Sequence, residues 1–375
     1  MAGSSYGTIF TITTWGESHG KAIGVTVDGC PAGLSLTCED IQQQLDYRKP
    51  GQSKFTTQRK ETDEVEILSG IFEGKTTGTP ISMLVRNTNQ LSRDYGNLAE
   101  LYRPGHADYT FEQKYGVRDY RGGGRSSGRE TIGRVAAGAI ALKLLEELGI
   151  TITAYTKSIG PITIPNEEYN FNEINDNKLY MPSNAHATEA ESYLQTCMEN
   201  KDSAGGIIEC LVTHRPVGIG QTVFDKLDAN LAKGLMSIGS VKGVEIGDGF
   251  AVATATGSTN NDSFHIKDNK IQKTTNHSGG ILGGMSDGST LITRVAIKPT
   301  PSISSMQHTV TKDLSELDVE IHGRHDPIIV PRAVVVVKSM VALTLIDSMF
   351  IHMSSQLDSI KSFYNKSQEV LNGNI

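Results

Sequence analysis

Residues 120–149, YRGGGRSSGRETIGRVAAGAIALKLLEELG, join a loop of glycine, serine and arginine directly to a long apolar helix pattern. The glycines at 122–124 allow positive φ angles and close approach of a ligand to the backbone. Ser127 lies three residues before Glu130, which is the spacing of a capping box, so we predict that a helix begins near Gly128. Apolar residues then cover more than one face as far as Gly149, which predicts a buried helix.

The start of this predicted helix has the features of an anion-binding site. A helix N-terminus presents unpaired N–H groups and a partial positive charge. Ser126 and Ser127 add hydroxyl groups, and four arginines lie close in sequence, so a phosphate or carboxylate is the expected ligand. The arginines are Arg121, Arg125, Arg129 and Arg134. The alternative is a capped core helix whose arginines face solvent, and the sequence leaves both interpretations open.

The composition is that of a globular protein with a local basic region. The chain has 375 residues, of which 37% are hydrophobic and 21% charged, enough for one large domain or two small ones. Its formal net charge is −7, which disfavours attraction of nucleic acid by the whole molecule. Six arginines nevertheless fall between Arg103 and Arg134, a pattern that favours a small polyanion in a pocket.

The cysteines and the apolar segments indicate a reducing compartment and no membrane. Cys30, Cys38, Cys197 and Cys210 form no CxxC pair and have no histidine at zinc-finger spacing, so we expect neither a metal site nor disulfides. The N-terminus lacks a basic segment followed by an apolar one, and Lys338 interrupts the most apolar stretch, residues 333–346. We therefore expect a cytoplasmic protein.

The remaining pattern predicts mixed α and β structure. Residues 8–14 and 22–27 are predicted strands, joined by a turn at residues 15–21 that carries His19. Residues 248–288, rich in Asn, Ser, Gly and Thr, are predicted to form a long loop that is either functional or a flexible linker. Residues 333–337 are predicted to be a buried strand, and a single long C-terminal helix is predicted from Val341 onward.

Three titratable residues are candidates for proton transfer. His19 lies between two glycines, His106 follows a Pro-Gly turn between Arg103 and Asp108, and Asp326 follows an arginine and a histidine. The alternatives are a turn histidine without a task, a packed histidine and a charge-balancing carboxylate, respectively. The basic segment 48–54 is either a lid over an anionic ligand or a solvated connection.

Eight segments in this order resemble the chorismate synthase family. They are GESHG at 16–20, RKPGQS at 48–53, RPGHADYT at 103–110, YRGGGRSSGRETIGRVAAG at 120–138, MSIGSVKGVEIGDGF at 236–250, SGGILGG at 278–284, IKPTPS at 297–302 and GRHDP at 323–327. The resemblance covers nearly the whole chain. It implies the family's α+β sandwich with helices between antiparallel β-sheets, formed as one domain over residues 1–375 with a C-terminal helix.

The resemblance also implies an activity. Members of the family are lyases that convert 5-enolpyruvylshikimate 3-phosphate to chorismate by 1,4-anti elimination of phosphate. They use reduced FMN (FMNH2) without net redox change, at the last common step of aromatic amino acid biosynthesis in the shikimate pathway. The family implies a homotetramer, and NADPH is a candidate reductant. The alternatives are a flavin- or nucleotide-binding protein without this activity, which would not need His19, His106 and Asp326, and a nucleic-acid-binding module with salt-sensitive binding.

The family's functional residues carry over position by position. His19 matches the histidine suited to protonating the departing phosphate, His106 the histidine that protonates the flavin, and Asp326 the aspartate that helps to deprotonate flavin N5. Arg48 and Lys54 match positions associated with NADPH or substrate, although Lys54 replaces the usual arginine and lacks its bidentate fork. The positions that match contacts of FMN are Arg125, Ser126, Ser127, Ile238, Gly239, Gly283, Lys298, Pro299, Thr300, Pro301, Ser302 and Arg324.

Overall fold

Two five-stranded antiparallel sheets enclose a layer of helices in a computed structural model that describes residues 3–52, 55, 61–87, 98–321 and 326–371, with side chains up to residue 365. Numbered along the chain, the first sheet has the strand order β1-β2-β3-β7-β4, and the second has the order β11-β16-β10-β8-β9. The strands of the first sheet are β1 (Ser5–Tyr6), β2 (Thr11–Gly16), β3 (Ala22–Asp28), β4 (Val65–Ile67) and β7 (Ile81–Arg86). Those of the second are β8 (Thr151–Ile159), β9 (Ile162–Thr163), β10 (Gly206–Thr213), β11 (Val241–Ile246) and β16 (Leu291–Ile297).

Short hairpins and eight helices complete the described part of the fold. The hairpins are β5 (Ile71–Phe72) with β6 (Lys75–Thr76), β12 (Phe264–Lys267) with β13 (Lys270–Lys273), β14 (Ile281–Leu282) with β15 (Met285–Ser286), and β17 (Gln307–Val310) with β18 (Glu316–Val319). The α-helices are α1 (Cys38–Arg48), α2 (Asp108–Tyr115), α3 (Thr131–Glu147), α4 (Asn184–Glu199), α5 (Leu227–Met236), α6 (Gly257–Asn260), α7 (Val330–His352) and α8 (Leu357–Leu371).

The middle layer consists of α3 and α7, flanked by α1 and α5. Helix α3 packs on β2, β3 and β7 of the first sheet, whereas α7 packs on β8 and β10 of the second. The apolar side chains of both sheets and of these helices form one continuous buried cluster. The mixed α+β composition and the sandwich implied by the resemblance are therefore confirmed.

Helices α3 and α7 approach each other to backbone contact at Gly138. A Cβ atom built on Gly138 would lie 2.3 Å from Ser339 Cβ and 2.8 Å from Ser339 Cα. Since no side chain fits in that space, glycine is the residue that allows this crossing. The two helices of the middle layer thus fix the distance between the sheets.

The start of α3 differs in detail from the prediction. A 3-10 turn, Gly128–Glu130, precedes the α-helix, and Ser127 Oγ accepts a hydrogen bond from Arg129 N at 3.3 Å. The Glu130 carboxylate accepts from Thr14 Oγ1 at 3.0 Å and Arg134 Nε at 2.8 Å, so the predicted capping box with Ser127 is wrong. The Glu130 side chain bonds to Thr14 and Arg134 in place of the predicted capping bond next to Ser127.

The C-terminal prediction is wrong at residues 333–337, which lie inside α7 and not in a strand. A run of valines favours strands, but a helix that is buried on every side has no polar face to reveal its period. Pro331 lies in the first turn, where a missing N–H costs nothing. The predicted single helix is also two, because α7 ends at His352 and α8 begins at Leu357.

Strand β2 begins at Thr11, three residues after the predicted start. The N–H groups of Thr8, Ile9 and Phe10 donate to the buried carboxylate of Asp347 in α7 at 2.7–3.0 Å, and are thereby unavailable to a strand partner. This carboxylate joins the N-terminal segment to the middle layer.

Residues 248–288 contain structure that the composition does not predict. They include hairpins β12–β13 and β14–β15 and helix α6. Lys273, whose side chain is 3% exposed, binds Asp262 at 3.0 Å, Asp287 at 2.7 Å and Ser278 Oγ at 2.6 Å. These bonds fasten the first hairpin to the glycine-rich segment 278–284, so the linker interpretation is wrong for this region.

Helix α7 is long and apolar enough to cross a membrane, and it is the one described helix of which this is true. However, 78% of its most apolar window is buried inside the protein. Burial between two sheets accounts for its apolar composition.

Candidate active site

His19 lies at the tip of the hairpin between β2 and β3, in a turn of residues 17–20 that we call the His19 turn. Gly20 N donates to Glu17 O at 3.1 Å, which closes the turn. His19 Nδ1 lies 3.1 Å from Ser18 Oγ. The predicted loop position of His19 is confirmed, and its role in proton transfer stays a prediction.

The imidazole of His19 lies against the glycine-rich loop, residues 120–130. A Cβ atom built on Gly122 would lie 2.4 Å from His19 Cε1 and 2.5 Å from Nδ1. The ring therefore contacts the backbone at a position where any side chain would displace it. The structure brings together the first histidine and the loop that opens the central helix.

His106 is held by hydrogen bonds at both ring nitrogens. Nδ1 lies 3.0 Å from the Pro104 carbonyl oxygen, which can only accept, so the Nδ1 atom carries the hydrogen. In the neutral ring Nε2 then accepts from Ser302 Oγ at 2.7 Å. Burial lowers the pKa of His106, the charge of Arg103 lowers it further, and the Pro104 hydrogen bond and Asp108 oppose this shift.

A buried group of charges fixes the turn that carries His106. Arg103 donates from Nε and from a terminal nitrogen to the two Asp108 oxygens at 2.7 Å each. Arg118 lies 3.2 Å from the same carboxylate, and these side chains are 4–6% exposed. Such a bidentate pair orients both partners, so His106 projects from a rigid base.

The segment 298–302, predicted to bind FMN, contacts the His106 turn and the Ile238–Gly239 turn. Lys298 Nζ donates to Gly105 O at 2.8 Å, and Lys298 N donates to Ser240 O at 2.9 Å. A cavity of about 250 Å³ lies beside the segment, lined by Pro104, Gly105, Asp202, Ser203, Pro299, Thr300, Pro301, Ile303 and Gln307. Thus the turn that carries His106 and three of the predicted cofactor contacts, Pro299, Thr300 and Pro301, line one space.

Arg125, Ser126 and Ser127 lie in the glycine-rich loop, close to the strand that leads to His19. Arg125 donates to Gly16 O at 3.1 Å and to Thr14 Oγ1 at 2.7 Å. Ser126 Oγ donates to Gly123 O at 2.6 Å. These bonds stabilise the loop conformation, and the predicted contacts with FMN stay predictions.

The four arginines of the predicted anion site all bind protein groups. Arg121 pairs with Asp119 at 2.8 Å, Arg129 with Asp63 at 3.2 Å, and Arg134 with Glu130 at 2.8 Å. Together with Arg125, they fix the loop and the start of α3. The interpretation of solvent-facing arginines is therefore wrong for Arg129, which is buried, and the anion site stays a prediction.

Asp326 belongs to a second group of charges. Its carboxylate accepts from Arg332 at 2.6 Å, and Arg332 Nε donates to the backbone oxygen of Arg48 at 3.0 Å. The Arg48 side chain is 2% exposed and donates to Asp63 at 2.8 Å and to Gly128 O at 3.1 Å. Burial lowers the pKa of Arg48, and the charge of Asp63 opposes this shift.

One predicted site residue, Gly283, lies in a hairpin turn, and two others cannot be located. Gly283 forms, with Gly284, the two-residue turn of β14–β15, and both have positive φ, as a type I′ turn requires. No hydrogen bond between described residues joins this turn to the segment 298–302. Lys54 and Arg324 lie outside the described residues.

The structure adds residues that sequence reasoning missed. Asn87 bonds to the His19 turn, Asp63 bridges two arginines, and Arg332 holds Asp326. The contacts of Asn87 and Asp63 join residues 15 or more positions apart, so no local spacing could reveal them, whereas Arg332 lies six residues after Asp326. Among the described residues, no group of three or more metal-binding side chains comes together.

The chain has an α+β fold, and His19, His106 and Asp326 lie on segments that connect its strands and helices, as the functional residues of enzymes commonly do. The chain belongs to the chorismate synthase family of lyases, which act in the shikimate pathway of aromatic amino acid biosynthesis. The family profile described as chorismate synthase matches residues 10–350, and the resemblance found in the sequence is confirmed.

Curated relatives and a solved structure support membership of the same family. The chorismate synthase of Agathobacter rectalis is 63% identical over 366 residues, which cover 98% of this chain and 100% of that protein. That of Lachnospira eligens is 61% identical with the same coverage. A crystal structure of a chorismate synthase matches with a TM-score of 0.75 at 30% identity, covering 96% of this chain and 98% of the other.

Proposed function

We propose that this protein eliminates phosphate from 5-enolpyruvylshikimate 3-phosphate by the 1,4-anti route, giving chorismate with reduced FMN and no net redox change. Membership of the family supports the proposal. The observation that carries it is the 2.7 Å hydrogen bond between His106 Nε2 and Ser302 Oγ, because it joins a candidate proton-transfer group to a segment predicted to bind the cofactor.

The residues present fit a flavin mononucleotide. Thr300 Oγ1 is buried without a partner among the described residues, so a ligand would satisfy it. A Cβ atom on Gly239 would meet no described atom within 4 Å, which leaves space beside that backbone. The group would be held by Arg125, Ser126, Ser127, Ile238, Gly239, Gly283 and the segment 298–302, with Arg324. When bound, reduced FMN supplies an electron-rich ring that stabilises electron-poor character in the substrate as phosphate leaves.

Each candidate catalytic residue has a role that its contacts support. His19 protonates the departing phosphate, since imidazole exchanges protons near neutral pH. His106 would donate a proton to the cofactor from Nε2, and because this atom carries the lone pair in the neutral ring and accepts from Ser302 Oγ, it would first have to be protonated. Asp326 accepts a proton, and Arg332 at 2.6 Å orients its carboxylate.

The binding of reductant and the assembly belong to the same proposal. We expect NADPH, where it is used, to approach Arg48 and Lys54, although the Arg48 guanidinium is buried on protein partners. We also propose a cytoplasmic homotetramer built from single-domain subunits of residues 1–375. The apolar side chains Leu357, Ile360 and Phe363 of α8 are exposed, which supports a contact between subunits there.

An anaerobic assay tests the activity. Purified protein receives 5-enolpyruvylshikimate 3-phosphate with chemically reduced FMN in one arm, and with oxidised FMN plus NADPH in the other. Chorismate in the reduced arm alone would support an enzyme that depends on external reductant, and chorismate in both would add flavin reductase activity. If FMN binds and neither arm yields chorismate, the protein is a flavin-binding protein and the proposal is wrong.

A further inference from the structure

We propose that Asn87 is a positioning residue that holds the His19 turn, and that Arg129 and Asp63 tie it to Asp326 through a continuous chain of bonds. The expected effect of Asn87 on kcat rests on the proposed function. Its expected effect on the orientation of the His19 ring does not, because that orientation is a property of the folded protein.

Asn87 follows β7 and contacts both ends of the His19 turn. Its Nδ2 donates to Glu17 O at 3.0 Å and to Gly20 O at 2.8 Å, and its backbone N–H donates to Lys21 O at 3.1 Å. Both amide hydrogens are thus used on the four-residue turn that carries His19. Loss of the side chain would remove both of these side-chain bonds from the turn.

The orientation of the Asn87 amide is set by Arg129. Arg129 Nε donates to Asn87 Oδ1 at 3.0 Å, and a guanidinium can only donate, so the amide oxygen must face it. Arg129 is buried and pairs with Asp63 at 3.2 Å and with Glu61. The carboxylates of Asp63 and Glu61 compensate the buried charge of Arg129, which would otherwise be costly.

The chain of bonds continues to Asp326 without a gap. The second oxygen of Asp63 accepts from Arg48 at 2.8 Å, Arg48 O accepts from Arg332 at 3.0 Å, and Arg332 reaches Asp326 at 2.6 Å. Arg48 is the last residue of α1 and Arg332 lies in the first turn of α7. Asn87 directly follows β7, Arg129 lies in the 3-10 turn before α3, and Asp63 lies just before β4. Each element is anchored in the sandwich, so His19 and Asp326 are held by rigid structure although both lie on connecting segments.

The test compares Asn87→Ala and Asn87→Asp with Arg86→Gln. Both Asn87 variants remove the two donors to the turn, and the aspartate keeps an acceptor for Arg129. Arg86 is the neighbouring residue, and it makes an exposed pair with Glu66, so its substitution controls for changes at the end of the strand. All proteins are assayed anaerobically with reduced FMN, and His19 is followed by NMR of labelled histidine across a pH titration.

We expect kcat to fall about 10- to 100-fold in both Asn87 variants, because a displacement of about 1 Å costs rates of this order. The FMN Kd and the KM for substrate should stay within about twofold, the His19 signals should shift, and Arg86→Gln should match the parent. Unchanged kcat and unchanged His19 signals in the Asn87 variants would overturn the proposal. A parallel loss of kcat, FMN binding and thermal stability would also overturn the proposal, because it would indicate that the substitutions destabilise the whole protein. If the parent makes no chorismate, the His19 titration alone decides the positional inference.

Discussion

The tautomer of His106 follows from the chemistry of its two partners. A carbonyl oxygen on one side and a hydroxyl on the other allow a single neutral arrangement, with the proton on Nδ1. The turn itself is predictable, because Pro104 and Gly105 dictate it locally. Ser302 lies 196 residues further along the chain, and its hydroxyl could not be identified as the partner of His106 by any local pattern.

Stability should depend on the protonation of His106. Burial and Arg103 lower its pKa in the folded protein, so the unfolded chain binds more protons below about pH 6.5. The neutral form of His106 therefore contributes to the free energy of unfolding above the pKa that this histidine has in the unfolded chain. The contribution is lost as pH falls through the pKa that His106 has in the folded protein. We expect His106→Gln to lessen the fall in urea midpoint between about pH 7.5 and pH 5.5. His308→Gln, at a side chain that is 62% exposed, is the comparison for loss of a histidine at the surface.

Gly122 should tolerate no side chain. In Gly122→Ala the new methyl group would displace the His19 ring, because it would lie 2.4 Å from Cε1. We expect kcat to fall about 100-fold with little change in thermal midpoint. Gly257→Ala, where the methyl group meets no described atom within 4 Å, provides a matched control. Equal activity in the two variants would show that the ring position does not matter.

At the scale of elements, a local signal decides the start of α1, whereas tertiary contacts decide the start of α3 and the burial of α7. Helix α1 begins directly after Thr37, and Thr37 and Asp40 form both bonds of a capping box, whose spacing is visible in the sequence. The sequence does not reveal helix α7, because a segment buried against the second sheet and three helices, α1, α3 and α5, lacks the polar face that makes a helical period visible. The hairpins within residues 248–288 depend on Lys273, whose aspartate partners cannot be recognised from composition.

The contact between α3 and α7 predicts an unusual response to alanine. Gly→Ala within a helix ordinarily stabilises it by about 1 kcal/mol. In Gly138→Ala the new methyl group would overlap Ser339 backbone atoms, so we expect the free energy of unfolding to fall by about 1–3 kcal/mol. Urea unfolding measures the change, with Gly257→Ala expected within about 0.5 kcal/mol of the parent. A stabilised Gly138→Ala would show that the helices can separate at little cost.

The buried charges at the start of α2 predict a large loss of stability when the Asp108 carboxylate is replaced by an uncharged amide. Burial raises the pKa of Asp108, but the hydrogen bonds and charge of Arg103 outweigh burial and the net shift is downward. Asp108→Asn leaves two buried arginines without their shared carboxylate, and we expect a loss of about 3–5 kcal/mol in unfolding free energy. Asp119→Asn removes an exposed pair with Arg121 and should cost less than about 1 kcal/mol. Similar losses in both variants would contradict this account.

For the whole molecule, the sequence supports mixed α and β structure, and only the family resemblance supplies the sandwich. The order of the strands joins segments that are distant in the chain, such as β10 between β8 and β16. No periodicity within a strand specifies its neighbour. The sequence does not predict the network from Asn87 to Asp326 for the same reason. The network joins residues from separate parts of the chain, which only the fold brings together.

The position of α7 in the middle layer has a consequence for synthesis of the protein. Helix α3 ends at Glu147 and its partner begins at Val330, about 180 residues later, so a ribosome adding 5–20 residues per second needs roughly 10–40 s to make the partner. We expect the nascent chain to expose the apolar faces of α3 and of the first sheet throughout that interval, and those of the second sheet as its strands are completed at Ile297. We expect chains terminated before Val330 to aggregate or to be retained by chaperones, as a solubility assay of truncated translation products would show. Soluble, protease-resistant products of that length would mean that the two sheets fold without α7.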